Sequence, residues 1–316
     1  MEVTVDGRVE RAIGDVNAEV TLRSAVKPFA LIALVESGAA DDLRLSAPEL
    51  AIMAASHTGQ DMHVRTLQAV FRRAGVSQSL LACGSDGMPI DALTAARLAR
   101  DGEAAGPIRH MCSGFHAASL LLSRFAGWPL EDYDKPEHPS QVAVRTAIAR
   151  AFGTRPGDLR IAVDDCGMAT YVFPLVEIAR AFALLADPTV AAADATRSTI
   201  AAPLQRIRDA MLEAPEMVGG NGEVLDTRLM RIGAGRLVVK GGAEGLRGVG
   251  LLPGARGEGS VAAGLAVRIE DGDGFARANR AATVEALAQI GALSERDLRA
   301  LAAHHRPQTR SPGGAV

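Results

Sequence analysis

The chain has 316 residues, of which 48% are hydrophobic and 22% are charged, and its formal net charge is -3. This composition is typical of a packed globular protein and excludes both a disordered chain and a disulfide-stabilised peptide. With 3% aromatic residues and no excess of basic ones, the chain lacks the surface that nucleic-acid binding needs, so we predict a small-molecule substrate and no nucleic-acid partner.

The N-terminus and the apolar runs bear on where the protein works. The first ten residues, MEVTVDGRVE, carry charges and lack the apolar core and cleavage site of a secretory signal. Apolar runs such as residues 29–35 fall far short of the roughly 20 residues that span a membrane. We therefore expect a cytoplasmic protein without membrane contact, in which Cys83, Cys112 and Cys166 are free thiols.

The predicted elements follow the hydrophobic pattern along the chain. Short β-favouring runs over residues 2–22, separated by Asp-Gly and Gly-Asp turns, predict a strand meander. From Ser24 the apolar spacing becomes helical, and Ser46 with Glu49 forms a capping box. The predicted helices cover residues 27–38, 47–56, 61–75, 91–101, 113–126, 138–152, 174–186 and 196–213. The later predicted strands cover 160–164, 235–240, 247–252 and 260–269, before two closing helices, the second capped by Ser294 and Asp297.

This order of strands, helices and strands predicts an α+β fold, with one antiparallel-rich sheet built from both chain ends and a helical layer inserted between them. No linker or internal repeat divides the chain, so we expect a single domain over residues 1–305 with a helical subregion at about 90–215. The Pro/Gly/Ser-rich segment 306–316 is expected to be disordered.

Lysine is rare in this sequence, since Lys27, Lys135 and Lys240 stand against 31 arginines among the 34 basic residues. Arginine stays protonated in proteins, whereas a desolvated lysine can become a neutral base near pH 7. A lysine retained in such a chain is therefore a candidate for proton transfer. Lys135 lies in the polar loop EDYDKPEHP and is expected to be a surface residue, which leaves Lys27 and Lys240 as candidates.

Both candidate lysines lie in patterns that favour activation of a serine. Ser24 and Lys27 form S-x-x-K at a predicted helix start, where a spacing of three places two side chains on one face with Cβ atoms about 5–6 Å apart. A neutral lysine at that distance can take the serine proton without a histidine. Lys240 ends the run RLVVK before two glycines, and Ser56 in ASHTGQDMH is a second candidate serine. This order is similar to that of serine β-lactamases and penicillin-binding proteins.

A series of sequence blocks then resembles one family. The blocks are RSAVKPFALIALVESGAADD, ASHTGQDMH, CSGFHAASLL, VDDCGMATY, MVGG with GEVLDTRLM, VVKGGAEG and GLAVRIEDGD, from Arg23 to about Gly274. In this order they resemble the Rhizobium-type L-asparaginase II family of bacteria. The resemblance implies a serine β-lactamase-like or glutaminase-like fold, a homodimer, and hydrolysis of L-asparagine by two Ser-Lys pairs beside a zinc ion. By resemblance, Ser24 pairs with Lys27, and Ser56 pairs with the strand lysine.

The implied zinc site departs from the family at one position. In the family, two cysteines and the lysine of C-S-G-K-H hold the metal, and the resemblance places Cys112, Cys166 and Phe115 there. Phenylalanine offers no lone pair, and zinc prefers four ligands. His116, four residues after Cys112, could compensate if both lie on one helical face. We expect that no cofactor is required and that zinc is bound at well below one ion per chain.

Five further residues are predicted to bind substrate, namely Arg23, His57, His116, Asp164 and Glu244. The resemblance matches Asp164 to an acidic residue that would hold the substrate α-ammonium group, and Arg23 could hold the α-carboxylate. His57 follows Ser56 directly and could orient it. Glu244 is close in sequence to the strand lysine and could keep that amine charged.

The predicted function is hydrolysis of L-asparagine to L-aspartate and ammonia, with L-glutamine a weaker substrate. Ser24 attacks the amide carbonyl with Lys27 as general base, while Ser56 and Lys240 steer the proton and stabilise the oxyanion. The sequence leaves open which serine is the nucleophile. Two alternatives remain: a penicillin-interacting type of serine hydrolase, and a noncatalytic amino-acid-binding homologue that lacks the family metal site.

Overall fold

The strands form two antiparallel sheets in a computed structural model that describes residues 1–84, 90–274 and 278–308. The main sheet has the order β2-β1-β8-β7-β6 and the small sheet the order β3-β5-β4. The strands are β1 (Glu2–Thr4), β2 (Val9–Arg11), β3 (Glu19–Thr21), β4 (Arg160–Val163), β5 (Ala169–Pro174), β6 (Leu237–Gly242), β7 (Leu246–Leu251) and β8 (Ala263–Arg268). Helices combined with antiparallel sheets confirm the predicted α+β class.

The prediction of one sheet built from both chain ends is right for β1 and β2, which join the C-terminal strands, and wrong for β3. β3 pairs with β5 in the small sheet, where Val20 lies opposite Phe173. The predicted strands omit β5, although its sequence ATYVFP is rich in strand-favouring residues. Because β5 is buried along most of its length, its pattern lacks the alternation of a half-exposed strand and merges with the apolar helix that follows.

The helices are α1 (Lys27–Ala30), α2 (Ile32–Glu36), α3 (Ala39–Asp42), α4 (Ala47–Met53), α5 (Asp61–Ala74), α6 (Ala92–Asp101), α7 (Ser113–Ala126), α8 (Pro139–Ala151), α9 (Leu175–Ala186), α10 (Ala201–Glu213), α11 (Pro215–Val218), α12 (Leu225–Gly233), α13 (Ala278–Gln289), α14 (Glu295–Ala300) and α15 (Ala302–His305). The predicted helix at 27–38 is divided into α1 and α2, and α12 is absent from the prediction. Both predicted capping boxes are confirmed, since Ser46 and Ser294 each donate a backbone N–H to a carboxylate three residues on, at 2.9 Å.

Glycines in the main sheet let α9 lie close against it. A Cβ at Gly264 would come within 1.9 Å of the carbonyl oxygen of Ala179, and one at Gly248 within 2.0 Å of the Phe182 ring. Only glycine therefore allows the helix to reach this distance. The contact places the apolar core between α9 and the three C-terminal strands, of which β6 carries Lys240.

Two predictions about chain organisation meet the structure only in part. The region 90–215 contains α6 to α10 but also β4 and β5, so it is not purely helical. A single domain over residues 1–305 stays a prediction, and residues 309–316 of the predicted disordered tail lie outside the described residues. In the part of the chain that the structure describes, no helix has the length and apolar character to cross a membrane.

Candidate active site

Lys27 begins α1 directly after a 3-10 turn over Arg23–Val26. The residue is 1% exposed, and its Nζ donates hydrogen bonds to Ala55 O at 2.7 Å, Ser56 Oγ at 3.2 Å and Cys112 Sγ at 3.2 Å. A protonated lysine has three N–H donors, so these acceptors satisfy the ammonium group completely. Lys27 is thus held between a serine hydroxyl and a thiol.

Ser24 lies in the same 3-10 turn but is not hydrogen-bonded to Lys27. Among the described residues its Oγ has no hydrogen-bond partner, which corrects the expectation that the S-x-x-K spacing gives a direct bond. The physical reason is that the three donors of Lys27 are already taken. Backbone packing still holds the turn at the end of β6, since a Cβ at Gly242 would lie 2.6 Å from Leu22 O.

Lys240 approaches the same serine from β6. The residue is 1% exposed; its Nζ lies 2.9 Å from Ser56 Oγ and donates to Gly241 O at 2.7 Å. Burial, and after it the positive charge of Lys27, hold the pKa of Lys240 well below its ordinary value. A neutral amine carries a lone pair, so Lys240 can accept a proton from the Ser56 hydroxyl.

The loop that carries Ser56 is fixed by the MVGG block. Ser56 N donates to Val218 O at 3.1 Å. Gly220 has φ of 128°, and a Cβ there would lie 2.1 Å from Thr58 Oγ1. The glycine is required because no larger residue could sit this close to the loop. The Val218 carbonyl and the lack of a side chain at Gly220 therefore help to set the position of Ser56.

His57 supports this loop and does not contact the Ser56 hydroxyl. Its Nε2 lies 2.9 Å from Ser113 Oγ, and its Nδ1 accepts the Gly59 N–H at 3.1 Å. The ring is fully buried, and burial, followed by the neighbouring His63, holds the pKa of His57 well below its ordinary value. Both ring nitrogens are used by the protein, so the predicted roles of orienting the serine and binding substrate are replaced by a structural one.

Arg23 is the centre of a cluster of carboxylates. Its Nε donates to Asp164 Oδ1 at 2.6 Å, and its guanidinium also pairs with Asp165 at 2.7 Å and with Glu244. Burial alone would lower the pKa of Arg23, but these carboxylates outweigh it and raise the pKa above its ordinary value. Arg23, the neighbour of Ser24 in the chain, is thus the ion-pair partner of Asp164. Their roles toward the substrate α-carboxylate and α-ammonium groups stay a prediction.

Glu244 occupies a different place from the one expected. Its carboxylate contacts Arg23 rather than Lys240, and the pKa of Lys240 is lowered rather than raised. The expectation that Glu244 keeps Lys240 charged is therefore wrong. The residue has φ of 59°, a left-handed conformation that side chains seldom adopt, and this turns it toward Arg23.

The thiols of Cys112 and Cys166 lie beside each other and near Lys27. Cys112 precedes α7, and Cys166 lies in the loop between β4 and β5. Interaction with the Cys166 thiol, together with the charge of Lys27, lowers the pKa of Cys112, while the interaction with Cys112 and burial raise the pKa of Cys166. Cys112 is therefore the more acidic thiol of the two. The third cysteine, Cys83, is buried, and burial raises its pKa to about 12.

The residues around this thiol pair do not fit a zinc ion. Phe115 turns the face of its ring toward Lys27, with Nζ 5.8 Å from the ring centroid, within the range of a cation–π contact. Among the described residues, no group of three or more His, Cys, Asp and Glu side chains is arranged to hold a metal ion. Two thiols fall short of the four ligands of a structural zinc. We therefore derive no step through a metal.

His116 does not supply the missing ligand. Its Nδ1 lies 2.7 Å from the Tyr133 hydroxyl, which accepts the Ala82 N–H at 2.9 Å. Within the described chain Nδ1 is thus the acceptor left for the tyrosine proton, which leaves the histidine proton on Nε2, a position that then cannot bind a metal. Burial lowers the pKa of His116 to about 4, so the ring is neutral. The residue is fully buried, and its role in binding substrate stays a prediction.

Two residues of this region are missing from the predicted site. Tyr133, one of two tyrosines in the chain, fixes His116, and no local pattern marks it. Asp226 reaches β6 beside Lys240 through a hydrogen bond from Gly241 N. The block GEVLDTRLM contains Asp226 and contributes to the resemblance, so this aspartate could have been found as a charged residue in a segment without an assigned role.

Fold and site together define an α+β protein in which two buried lysines meet at one serine hydroxyl. The family model described as L-asparaginase II matches residues 1–316, the whole chain. The chain therefore belongs to the L-asparaginase II family, as the sequence blocks predict. The family name points to an asparaginase-type hydrolase. A search of curated proteins found no match.

Proposed function

We propose that this protein hydrolyses the side-chain amide of L-asparagine to L-aspartate and ammonia by Ser-Lys catalysis. The observation that carries the proposal is the position of Ser56 Oγ, which lies within hydrogen-bonding distance of two buried amines, Lys27 and Lys240. Two lysines taken out of water beside one hydroxyl form a path for a proton, and the family membership supplies the substrate class.

In this mechanism Ser24 is the nucleophile. The neutral amine of Lys240 receives a proton from Lys27 through the Ser56 hydroxyl, which gives up one proton and takes another. Lys27 then has a lone pair for the proton of Ser24. The Ser24 oxygen bonds to the amide carbon, the carbon–nitrogen bond breaks, and the leaving nitrogen takes a proton to depart as ammonia. Water then cleaves the ester, so aspartate is released and the serine is regenerated.

Ser56 is a second candidate nucleophile within the same function. Both lysine amines reach its Oγ, and Ser56 is partly exposed. In that case Lys240 takes the proton directly and Lys27 holds the hydroxyl by donating to it.

A reactive substrate analogue separates the two serines. A diazoketone analogue of asparagine alkylates the attacking nucleophile, and trypsin cleaves the chain so that Ser24 lies in peptide 24–44 and Ser56 in peptide 45–65, because Lys27 precedes proline and resists cleavage. Mass analysis of the labelled protein is expected to find the adduct on 24–44. An adduct on 45–65 would transfer the nucleophilic role to Ser56.

Substrate recognition is proposed to involve Arg23 and Asp164. Their ion pair places one cation and one anion beside the turn that carries Ser24, which matches the charged α-carboxylate and α-ammonium groups of an amino acid. Glutamine carries the same groups but places its amide one carbon farther away, so we expect it to be a weaker substrate.

The test of the function is release of ammonia. The purified protein is given L-asparagine, L-glutamine or a chromogenic β-lactam, with Ser24→Ala and Ser56→Ala variants as controls. We expect ammonia from asparagine at the highest rate. Hydrolysis of the β-lactam alone would favour the penicillin-interacting hydrolase, and binding of asparagine without turnover would favour the noncatalytic homologue.

The resemblance also supports a homodimer. Sedimentation at several protein concentrations is expected to give the mass of two chains. A concentration-independent monomer would remove this part of the proposal.

A further inference from the structure

Asp226 lies in the first turn of α12, behind the strand that carries Lys240. Its Oδ2 accepts a hydrogen bond from Gly241 N at 2.8 Å, and its carboxylate forms an ion pair with Arg247 of β7. The side chains of Asp226 and Arg247 are only 11% and 12% exposed. A buried carboxylate therefore joins the backbone of β6 to a side chain of the neighbouring strand.

Gly241, whose N–H bonds to Asp226, also accepts a hydrogen bond from Lys240. Lys240 Nζ donates to Gly241 O at 2.7 Å and lies 2.9 Å from Ser56 Oγ. The backbone of Gly241 is thus fixed on one side by Asp226 and receives the lysine on the other. If the backbone of Gly241 rotated, its carbonyl oxygen would move, and Lys240 Nζ would no longer lie within hydrogen-bonding distance of Ser56 Oγ.

The glycine allows this arrangement. A Cβ at position 241 would lie 3.0 Å from a guanidinium nitrogen of Arg247 and 3.3 Å from Asp226 Oδ2. These distances are tighter than ordinary contacts, so a side chain at position 241 would push against the ion pair.

Arg247 is itself held in place by a hydrogen bond to Asn279. Its Nε donates to Asn279 Oδ1 at 3.0 Å, and Asn279 Nδ2 donates to Gly245 O at 2.8 Å. Burial lowers the pKa of Arg247 to about 10, so the guanidinium is still charged at neutral pH. The carboxylate of Asp226 is therefore paired with the Arg247 guanidinium, which Asn279 also holds in place.

We propose that Asp226, held by Arg247, is a positioning residue that fixes Gly241 so that Lys240 Nζ meets Ser56 Oγ. Asp226 itself touches neither the serine nor the substrate. The inference rests on the proposed function, in which Lys240 takes part in proton transfer.

The test separates the hydrogen bond to Gly241 from the ion pair. All test variants also carry Arg247→Met, so that replacing Asp226 leaves no buried guanidinium group without its carboxylate partner. Asp226→Asn then keeps an oxygen for the Gly241 N–H, whereas Asp226→Ala removes it. We expect kcat of the Asn variant to stay close to that of Arg247→Met, and kcat of the Ala variant to fall by about 100-fold at unchanged KM, the size of loss that a misplaced catalytic group produces.

A control variant tests whether the loss of any ion pair lowers the activity. Glu36→Gln breaks the pair between Glu36 and Arg150, which lies on other elements, and is expected to leave both kcat and KM unchanged. If the Ala variant does not fold, Asp226→Leu in the same background fills the space and gives the same comparison.

Crystal structures give a readout that does not depend on turnover. In the folded Ala or Leu variant we expect Lys240 Nζ to leave Ser56 Oγ, while the Asn variant keeps the contact. A contact retained in all variants, or equal kcat in the Ala and Asn variants, would overturn the proposal. If the wild-type protein releases no ammonia from asparagine, the proposed function fails, but the Lys240–Ser56 distance still decides the role of Asp226.

Discussion

The region around Lys27 has two halves that differ in origin and chemistry. The lysine half unites α1, the Ser56 loop and β6, and therefore draws on both ends of the chain. The thiol half consists of Cys112 before α7 and Cys166 in the β4–β5 loop. Lys27 belongs to both, because its Nζ lies 3.2 Å from Ser56 Oγ and 3.2 Å from Cys112 Sγ.

The two halves show that a substitution in the thiol half can leave the contacts of the lysine half in place. In the thiol half, Phe115 stands where the resemblance implies a metal ligand and directs its aromatic face at Lys27, whose Nζ also lies 3.2 Å from Cys112 Sγ. In the lysine half, the contacts that hold Ser56 come from Lys27, Lys240 and the backbone of Val218. None of these contacts needs a metal.

The largest expected effect comes from the lysine half. Ser24→Ala, Lys27→Ala and the double variant should each lower kcat by about 100- to 10,000-fold, because residues that act as one unit lose the same function when either is removed. Steady-state ammonia release with folded proteins measures this. Near wild-type turnover of Lys27→Ala at pH 7 would show that the lysine is not the base.

A second substitution asks whether Lys27 must be able to give up its proton. Lys27→Arg keeps a positive charge but cannot become a neutral base, so we expect activity to be lost. Lys135→Arg is the matched control, since the Lys135 side chain is 58% exposed and pairs with Asp134, and it should keep full activity. Activity and thermal stability are measured together, and equal activity in folded Lys27→Arg would refute the argument from lysine scarcity.

Much of the lysine half could be predicted from the sequence, because scarce lysines and short-range motifs mark it. The contacts within it could not, since the bonds of Lys27 to Ala55 O and Cys112 Sγ join segments far apart in the chain. The S-x-x-K spacing predicts a Ser24–Lys27 bond but says nothing of the competing acceptors that take the donors of Lys27. The pairing of β3 could not be predicted either, because its partner β5 is buried and its sequence does not alternate between polar and apolar residues.

A third prediction concerns the stability cost of burying Lys240. Because the pKa of Lys240 is lowered in the folded protein, the unfolded state binds more protons between that lowered pKa and the ordinary value near 10.4, so stability rises with pH across this range. Lys240→Met removes this cost. We expect a higher free energy of unfolding at pH 7, with an advantage that shrinks as the pH approaches 10, together with loss of activity.

Urea unfolding at several pH values measures this difference, with Lys135→Met as the exposed control. A Lys240→Met variant that is less stable at pH 7, or whose advantage does not depend on pH, would show that Lys240 is charged in the folded protein.

The smallest expected effect on the wild-type protein is that of metal removal. Because Phe115 offers no ligand, strong chelators should leave the melting temperature almost unchanged. Phe115→Lys supplies the ligand that the resemblance implies and should raise zinc affinity, since the thiols of Cys112 and Cys166 already lie beside each other. Elemental analysis of both proteins compares them. Stoichiometric zinc in the wild type would mean that another residue completes the ligand set.

The central claim is that the lysine half releases ammonia from asparagine without help from a metal in the thiol half. The most direct test measures ammonia release by wild-type protein that has been dialysed against a strong chelator and shown by elemental analysis to contain no zinc. We predict the same kcat before and after dialysis. A kcat that disappears with the metal and returns when zinc is added would contradict the claim.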